Sequence, residues 1–252
     1  MEVRAVERAL AVLEALQEDV QGLSELSRKL SLSKATLLRI LNTLTKQGFV
    51  DYNEKTKKYD LGLKLLQLGM TVTERFDLKK VAGPYLEKLW NACGETVYLN
   101  IRNGNERLCI DCLHGKKDVR VVAYTGHKSP LYVGASGKAI LAFLEPQELD
   151  DYLTNVKLEK VAPGTITDIE ALKNDLAKTR EQGYATSFEE RYSNALGASA
   201  PIRDATGKVI ASISITAPSN RTADEVNQYI VLVKEAAREI SSKLGYVSPR
   251  TI

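Results

Sequence analysis

Residues 31–61 read SLSKATLLRILNTLTKQGFVDYNEKTKKYDL, and this pattern decides how the first part of the chain folds. Ser31-Leu32-Ser33 makes a tight turn, with Ser33 placed to cap a helix. From Lys34 the apolar residues Leu37, Ile40, Leu41 and Leu44 recur at helical spacing, and Gly48 ends the run. Phe49 to Tyr52 reads as a strand, Asn53 to Lys57 as a turn, and Lys58 to Leu61 as the returning strand. Upstream, Val6, Ala9, Leu10, Leu13 and Leu16 predict an amphipathic helix over 4–17. Gly22 breaks that pattern, and Ser24 can cap a short second helix through Leu26 and Leu30. Three short helices, the last two joined by a tight turn and followed by a hairpin, make a winged helix-turn-helix.

The charge distribution agrees. The 252 residues carry a net charge of only +3, which identifies no partner by itself. Residues 28–58, however, hold eight Lys and Arg against Asp51 and Glu54, a net of +6 that leaves the remainder of the chain at −3. Basic charge concentrated in one short stretch is the footprint of a nucleic-acid binder. With the leucines turned inward, the third helix presents Lys34, Ala35, Leu38, Arg39 and Asn42 outward. Arg39 suits guanine, Asn42 suits adenine, and Ala35 or Leu38 can meet a thymine methyl. Ser33 and Thr36, at the helix start, suit phosphate, and the wing lysines Lys55, Lys57 and Lys58 suit the backbone beside the groove. Taken alone, Arg39 and Asn42 would be solvated residues of an amphipathic helix. Turn, wing and charge together make double-stranded DNA the expected partner.

Composition bounds the rest. With 44% hydrophobic and 27% charged residues, the chain is globular and not generally disordered. No apolar run reaches the ~18 residues a membrane helix needs, and charges interrupt the N-terminal apolar pattern, unlike a signal peptide. Three cysteines are too few and too odd in number for a disulfide framework, so a cytoplasmic location is expected. Residues 63–92 have helical spacing with a break near Phe76-Asp77: one helix joins two domains and a second opens the larger one. Beyond residue 94, strands are predicted over 96–101, 107–112, 119–123, 184–190, 195–203 and 208–216. Helices are predicted over 136–144, 146–153, 168–182 and 222–244. Strands grouped at both ends with helices between give an α+β domain. The expected organisation is a DNA-binding domain over 1–62, a linker helix over 63–78 that also helps hold two subunits together, and a second domain over 79–252.

The chemical motifs point away from catalysis. Gly134-Ala135-Ser136-Gly137-Lys138 has two residues between its glycines where a phosphate loop has four, and Ala139 replaces the required Ser or Thr. It is not a nucleophile elbow either. What survives is a small-residue turn entering a helix, whose backbone N–H groups suit a carboxylate. Cys109 and Cys112 have metal-ligand spacing, yet residues three apart on a strand face opposite ways, and His114 and His127 are the only histidines. No metal or cofactor is therefore expected. Glu189 and Glu190, adjacent on a strand, read as solvated charge. An enzyme beginning near residue 94, or a winged-helix sensor module that binds protein, are the rival readings.

The chain resembles the IclR family of bacterial transcriptional regulators over nearly its full length. The likeness is carried by Val6-Glu7-Arg8-Ala9-Leu10, Leu23-Ser24-Glu25-Leu26, Ser33-Lys34-Ala35-Thr36, Gly48-Phe49-Val50 and Tyr59-Asp60-Leu61-Gly62-Leu63. It continues through Gly94-Glu95-Thr96-Val97, residues 137–143, Gly183-Tyr184-Ala185 with Glu189-Glu190, Ala200-Pro201-Ile202 and Ser212-Ile213-Ser214-Ile215. The resemblance implies a GAF-like mixed α/β domain that binds a small organic-acid effector. It also implies a homodimer or homotetramer on a pseudo-palindromic operator. By the same resemblance the effector cup includes Gly134, Ala135, Ser136, Ser214 and Thr216. Ser187 stands where the family usually has Asp, and Gly197 where it usually has Cys. A lost carboxylate and a smaller residue lead us to expect a bulkier or less polar ligand than a two- or three-carbon acid, such as an aromatic or sugar-derived acid.

Overall fold

The computed structural model is described over residues 3–75 and 77–247, except for the side chains of 72–75 and 77. Phe76, at the expected break, lies outside the described residues, as do the first two and last five positions of the chain. Two compact units divide it, Met1–Phe76 and Asp77–Ile252.

In the first unit, α1 (Arg4–Glu18), α2 (Leu23–Lys29) and α3 (Lys34–Lys46) close on a small core. Val12, Leu16, Leu26, Leu37, Leu41, Val50 and Tyr59 fill it. Each such side chain contributes about 1.5–3 kcal/mol by burial, so a core this small tolerates few losses. The strands β1 (Gln21–Gly22), β2 (Val50–Asn53) and β3 (Lys58–Leu61) form an antiparallel sheet in the order β1-β3-β2. Helix α4 (Leu63–Arg75) follows. Two expectations are corrected. Val6 and Leu10 are more than half exposed, because the core closes only on the second half of α1, at Val12, Ala15 and Leu16. Gly22, not Ser24, is the N-cap of α2, because the Glu25 carboxylate reaches back to accept from Gly22 N at 2.8 Å.

The second unit is built on a six-stranded antiparallel sheet in the order β6-β5-β4-β9-β8-β7. Its strands are β4 (Thr96–Asn103), β5 (Glu106–Leu113), β6 (Lys128–Pro130), β7 (Ala185–Phe188), β8 (Ala195–Arg203) and β9 (Val209–Pro218). The hairpins β4–β5 and β8–β9 meet along β4 and β9, where Leu99 lies opposite Ile213. Side chains alternate across a strand, and here the two faces differ in kind. Val97, Leu99, Ala198, Ala200, Ile213 and Ile215 pack beneath α5 (Asp77–Cys93) and α9 (Ala223–Lys243) in the main core. Tyr98, Asn100, Ser199, Ser212 and Ser214 turn the other way, toward α6 (Gly134–Leu141). Helices α7 (Pro146–Asn155) and α8 (Ile169–Gln182) extend that side around Leu141, Tyr152, Leu172 and Leu176.

Three further expectations change here. Residues 119–123 form no strand; Val119 and Val122 are exposed, and side chains satisfy the carbonyls of the loop. Thr96 Oγ1 donates to Val121 O at 2.5 Å, and Cys112 Sγ to Ala123 O at 3.6 Å. The strand predicted over 184–190 stops at Phe188, and Glu189 takes a left-handed φ of 53°. Cys109 and Cys112 share a face: the β4–β5 register shifts between Leu99 and Asn100, so Cys109 pairs with Asn100 and Cys112 with Tyr98. Ile110 is the extra residue of this bulge, and it supplies the kink that a regular strand lacks.

Candidate DNA-binding face and effector cavity

The candidate DNA-binding face starts at Ser33, whose Oγ accepts from Thr36 N at 3.3 Å and lies 2.9 Å from Thr36 Oγ1. Both hydroxyls suggested for phosphate are thus already engaged in the cap. Beyond it Leu37 and Leu41 are fully buried, while Lys34, Ala35, Leu38, Arg39 and Asn42 are exposed. Among the described residues, no side chain engages the Arg39 guanidinium or the Asn42 amide. The wing turn is held by Asn53 Oδ1, which accepts from Lys55 N and Thr56 N at 3.0 and 3.1 Å, and Lys55, Lys57 and Lys58 all project into solvent. One cation of the basic stretch is neutralised, because Lys29 pairs with Glu18 at 2.6 Å. The structure adds a residue that the sequence reading missed. A groove between α1 and α3 brings Arg8 beside Arg39 and Asn42. Its only sequence signal was a charge on the outward side of α1.

In the second unit, the polar sheet face and the start of α6 enclose a cavity holding about 450 Å³ of empty space, mouth included. Gly134, Ala135, Ser136, Ser187, Gly197, Ser214 and Thr216 all line it. So do Tyr98, Arg107, Glu190, Arg191 and Tyr192, which were not anticipated. Two of its lining residues, Arg107 and Ser214, belong to a buried hydrogen-bonded chain. Arg107 Nη1 donates to Asn100 Oδ1 at 2.6 Å, Asn100 Nδ2 faces Ser214 Oγ at 3.5 Å, and Ser214 meets Ser199 Oγ at 2.7 Å. Burial raises the Tyr98 phenol, so it stays protonated beside Thr216.

The small-residue turn owes its composition to close approach. A Cβ on Gly137 would lie 2.4 Å from the Leu131 carbonyl oxygen. Gly134 takes a φ of 82°, and its N–H donates to Glu190 Oε2 at 3.0 Å. One of the amides expected to hold an acid is therefore taken by the protein's own carboxylate, which leaves those of Ala135 and Ser136 without an intrahelical partner. Glu190 is also not solvated charge. It is buried, with Oε1 2.6 Å from Lys138 Nζ, and Lys138 is itself fully buried and 2.9 Å from Asp175. Burial raises the Glu190 carboxyl above its ordinary value, against the pull of Lys138. Gly197 does not leave extra room: a Cβ there would lie 2.9 Å from Ser187 Oγ and 3.4 Å from Ala135 Cβ. Ser187 and Ala135 already fill that space.

The three cysteines are free thiols, and burial pushes Cys109 up to about 12. Among the described residues, no group of three or more His, Cys, Asp and Glu is arranged to hold a metal ion, and no helix is long and apolar enough to cross a membrane.

Comparison with known proteins bears on both sites. The model of the IclR helix-turn-helix domain matches residues 5–54, and that of the bacterial transcriptional regulator IclR C-terminal domain matches 70–242. The chain belongs to the IclR family. Among its IclR relatives, the HTH-type transcriptional regulator KipR of Bacillus subtilis is 34% identical over 247 residues, spanning 96% of this chain and 98% of that protein. The HTH-type transcriptional repressor AllR of Escherichia coli is 35% identical over 245 residues, spanning 96% and 90%. The crystal structure of the Thermotoga maritima IclR superposes with a TM-score of 0.76 at 33% identity, covering 97% of this chain and all of that one. An IclR homologue from Microbacterium hydrocarbonoxydans, complexed with 4-hydroxybenzoate, gives a TM-score of 0.84 at 28% identity over 95% and 98% of the two chains. This IclR protein is accordingly a DNA-binding transcriptional regulator with a C-terminal effector domain.

Proposed function

We propose that this regulator binds a pseudo-palindromic operator as a homodimer or a pair of dimers in the cytoplasm, and that an organic acid in the cavity changes its operator affinity. The observation that carries the reading is the polar, partly open cavity against a sheet whose opposite face is a closed hydrophobic core. A purely structural sheet face would be apolar where a helix covers it. Base contacts are assigned to Arg39 and Asn42, with Ala35 and Leu38 as apolar neighbours. Phosphate contacts are assigned to Lys34, Lys55, Lys57, Lys58 and Arg8, and to the backbone N–H groups at the Ser33–Thr36 cap. Leu63, Leu66 and Met70 on α4 are exposed, as are Val3, Val6 and Leu10 at the start of the chain. Each set has the i, i+3, i+7 spacing of one helical face, which suits burial against a second copy.

The 4-hydroxybenzoate bound to the Microbacterium homologue supports an acid of more than three carbons. The test is a gel shift of the full chain on the DNA upstream of its own gene, with salt varied and candidate acids added. Retarded bands that weaken with salt, and whose midpoint moves with an acid, are the expected result. Indifference of the bands to every acid, or no retardation at low ionic strength, overturns the proposal.

A further inference from the structure

Arg107 stands on β5 and lines the cavity, yet it is only 2% exposed. Its Nη1 is bound to Asn100 Oδ1, a neutral acceptor, and its Nε has no partner. Among the described residues, no carboxylate lies within ion-pair distance of it. Arginine does not shed its proton to escape burial, and an isolated charge withdrawn from water is costly unless an opposite charge meets it. With Nη1 occupied, the Nε–Nη2 edge is the side left without a partner, and such an edge can receive a carboxylate in bidentate fashion. The Asn100–Ser214–Ser199 chain fixes the guanidinium from behind.

A second cation lines the same cavity. Arg191 stacks on Tyr192 at 4.9 Å and bonds the His127 ring, and among the described residues it too has no carboxylate partner. The acidic group of the cavity, Glu190, is already matched by Lys138. Ser187, which also lines the cavity, contributes no charge. The first turn of α6 adds unpaired amides of the same sign.

We propose that the cavity takes a small dicarboxylate, with one carboxylate on the Nε–Nη2 edge of Arg107 and the second group held at Arg191. The proposal rests on the effector reading above and narrows it. It makes Arg107 the anchor for any acid and Arg191 the source of preference for a second negative end.

Isothermal titration of the full chain with matched pairs tests it: glutarate against butyrate, and isophthalate against benzoate. Each dicarboxylate is expected to bind at least about tenfold more tightly than its monocarboxylate partner. Arg107→Gln should weaken both members of a pair on the order of 100-fold. Arg191→Gln should erase only the advantage of the dicarboxylate. Relief of an unpaired buried charge should raise the ligand-free melting temperature of Arg107→Gln by about 2–4 °C, which also shows that the variant folds. If Arg107→Gln binds like the parent, or dicarboxylates gain nothing over their partners, the proposal is overturned. Acids that still shift the operator complex in Arg107→Gln would remove the anchor and leave the effector reading standing. If the parent chain binds its upstream DNA but no acid of the panel, the dicarboxylate proposal falls, while the effector reading is decided by the wider gel-shift screen.

Discussion

Replacing Lys138 with Met tests the buried ion pair that fixes Glu190 in the cavity wall. The substitution keeps the volume and removes the charge, leaving Glu190 buried with Gly134 N as its remaining donor and Asp175 nearby. Breaking such a pair costs about 3–5 kcal/mol. Glu190 has an escape, however: it can take a proton, at about 1.4 kcal/mol for each pH unit above its ordinary value. From the reference of 4.5 for a glutamate, that route costs about 4 kcal/mol at pH 7.5 and about 1.4 kcal/mol at pH 5.5. The smaller of the two costs governs, so the deficit of the variant should shrink as pH falls. The sign follows from proton counting. In the variant the folded state holds a proton that the unfolded state has released, so stability declines as pH rises above 4.5. Urea unfolding at pH 5.5, 6.5 and 7.5 measures this, and the chain's single tryptophan, Trp90 on α5, reports the larger unit without interference. A deficit that stays constant with pH would refute the argument, because it would mean that lost packing, not uncompensated charge, explains the damage. Lys138→Met combined with Glu190→Leu should recover much of the loss, since apolar groups can replace a buried pair at little cost.

Three other outcomes are expected. Neutralising Lys55, Lys57 and Lys58 together should weaken binding to all DNA sequences alike and flatten the log–log salt dependence by about 0.9 for each phosphate left unneutralised, measured by fluorescence anisotropy. Arg39→Ala should cost about 1–3 kcal/mol on the operator and relax the preference at one base position, with much less effect on unrelated DNA, as competition gel shifts will show. Cys109, pushed up to about 12 by burial, should resist iodoacetamide at pH 8 in the folded protein and react once urea is added, as read by mass spectrometry.

Helix α3 was legible because its determinants are local. A cap at Ser33, leucines at helical spacing and a stop at Gly48 lie within sixteen residues, and the helix forms where they say, over Lys34–Lys46. Five strands of the second unit were legible through their β-prone residues between turns, whereas the three-residue edge strand β6 (Lys128–Pro130) was not anticipated. Burial on α1 was not, since periodicity reveals a face but not how far the core runs along it; Val6 and Leu10 continue a stripe that the core does not reach. Residues 119–123 have the composition of a strand, yet a loop forms there whose carbonyls at Val121 and Ala123 are satisfied by the side chains of Thr96 and Cys112. The bulge at Ile110 carries no Gly or Pro to mark it. Half of the cavity escaped for a related reason. Tyr98, Arg107, Glu190 and Arg191 come from separate segments that only the sheet order β5-β4-β9-β8-β7 brings to one place. A local signal for two of them did exist. Tyr98 and Asn100 alternate with Val97, Leu99 and Ile101, and an Arg precedes the apolar run Leu108-Cys109-Ile110.

The sheet shows why that signal deserves weight. Its α5–α9 face is closed by aliphatic side chains and supplies the stability of the unit. Its α6 face carries polar groups that a merely structural sheet has no use for. Most of them satisfy one another: Ser199 Oγ donates to Ile213 O at 3.0 Å, and Ser212 Oγ to Ser136 O at 3.0 Å. The network fails at one end. Arg107 Nε has no partner, and neither does Ser129 Oγ, on the residue opposite Arg107 in the β5–β6 ladder. Each unmet buried group costs about 1–3 kcal/mol, more where it is charged. If the polar face served the fold alone, Met or Leu at 107 would be the more stable choice. The deficit instead lies beside a cavity, on a cation shaped to grip an oxyanion. On the proposal made above, the atoms that cost the domain stability are those through which a bound acid would stabilise it, and only a ligand with such a differential can shift the conformational balance of the regulator.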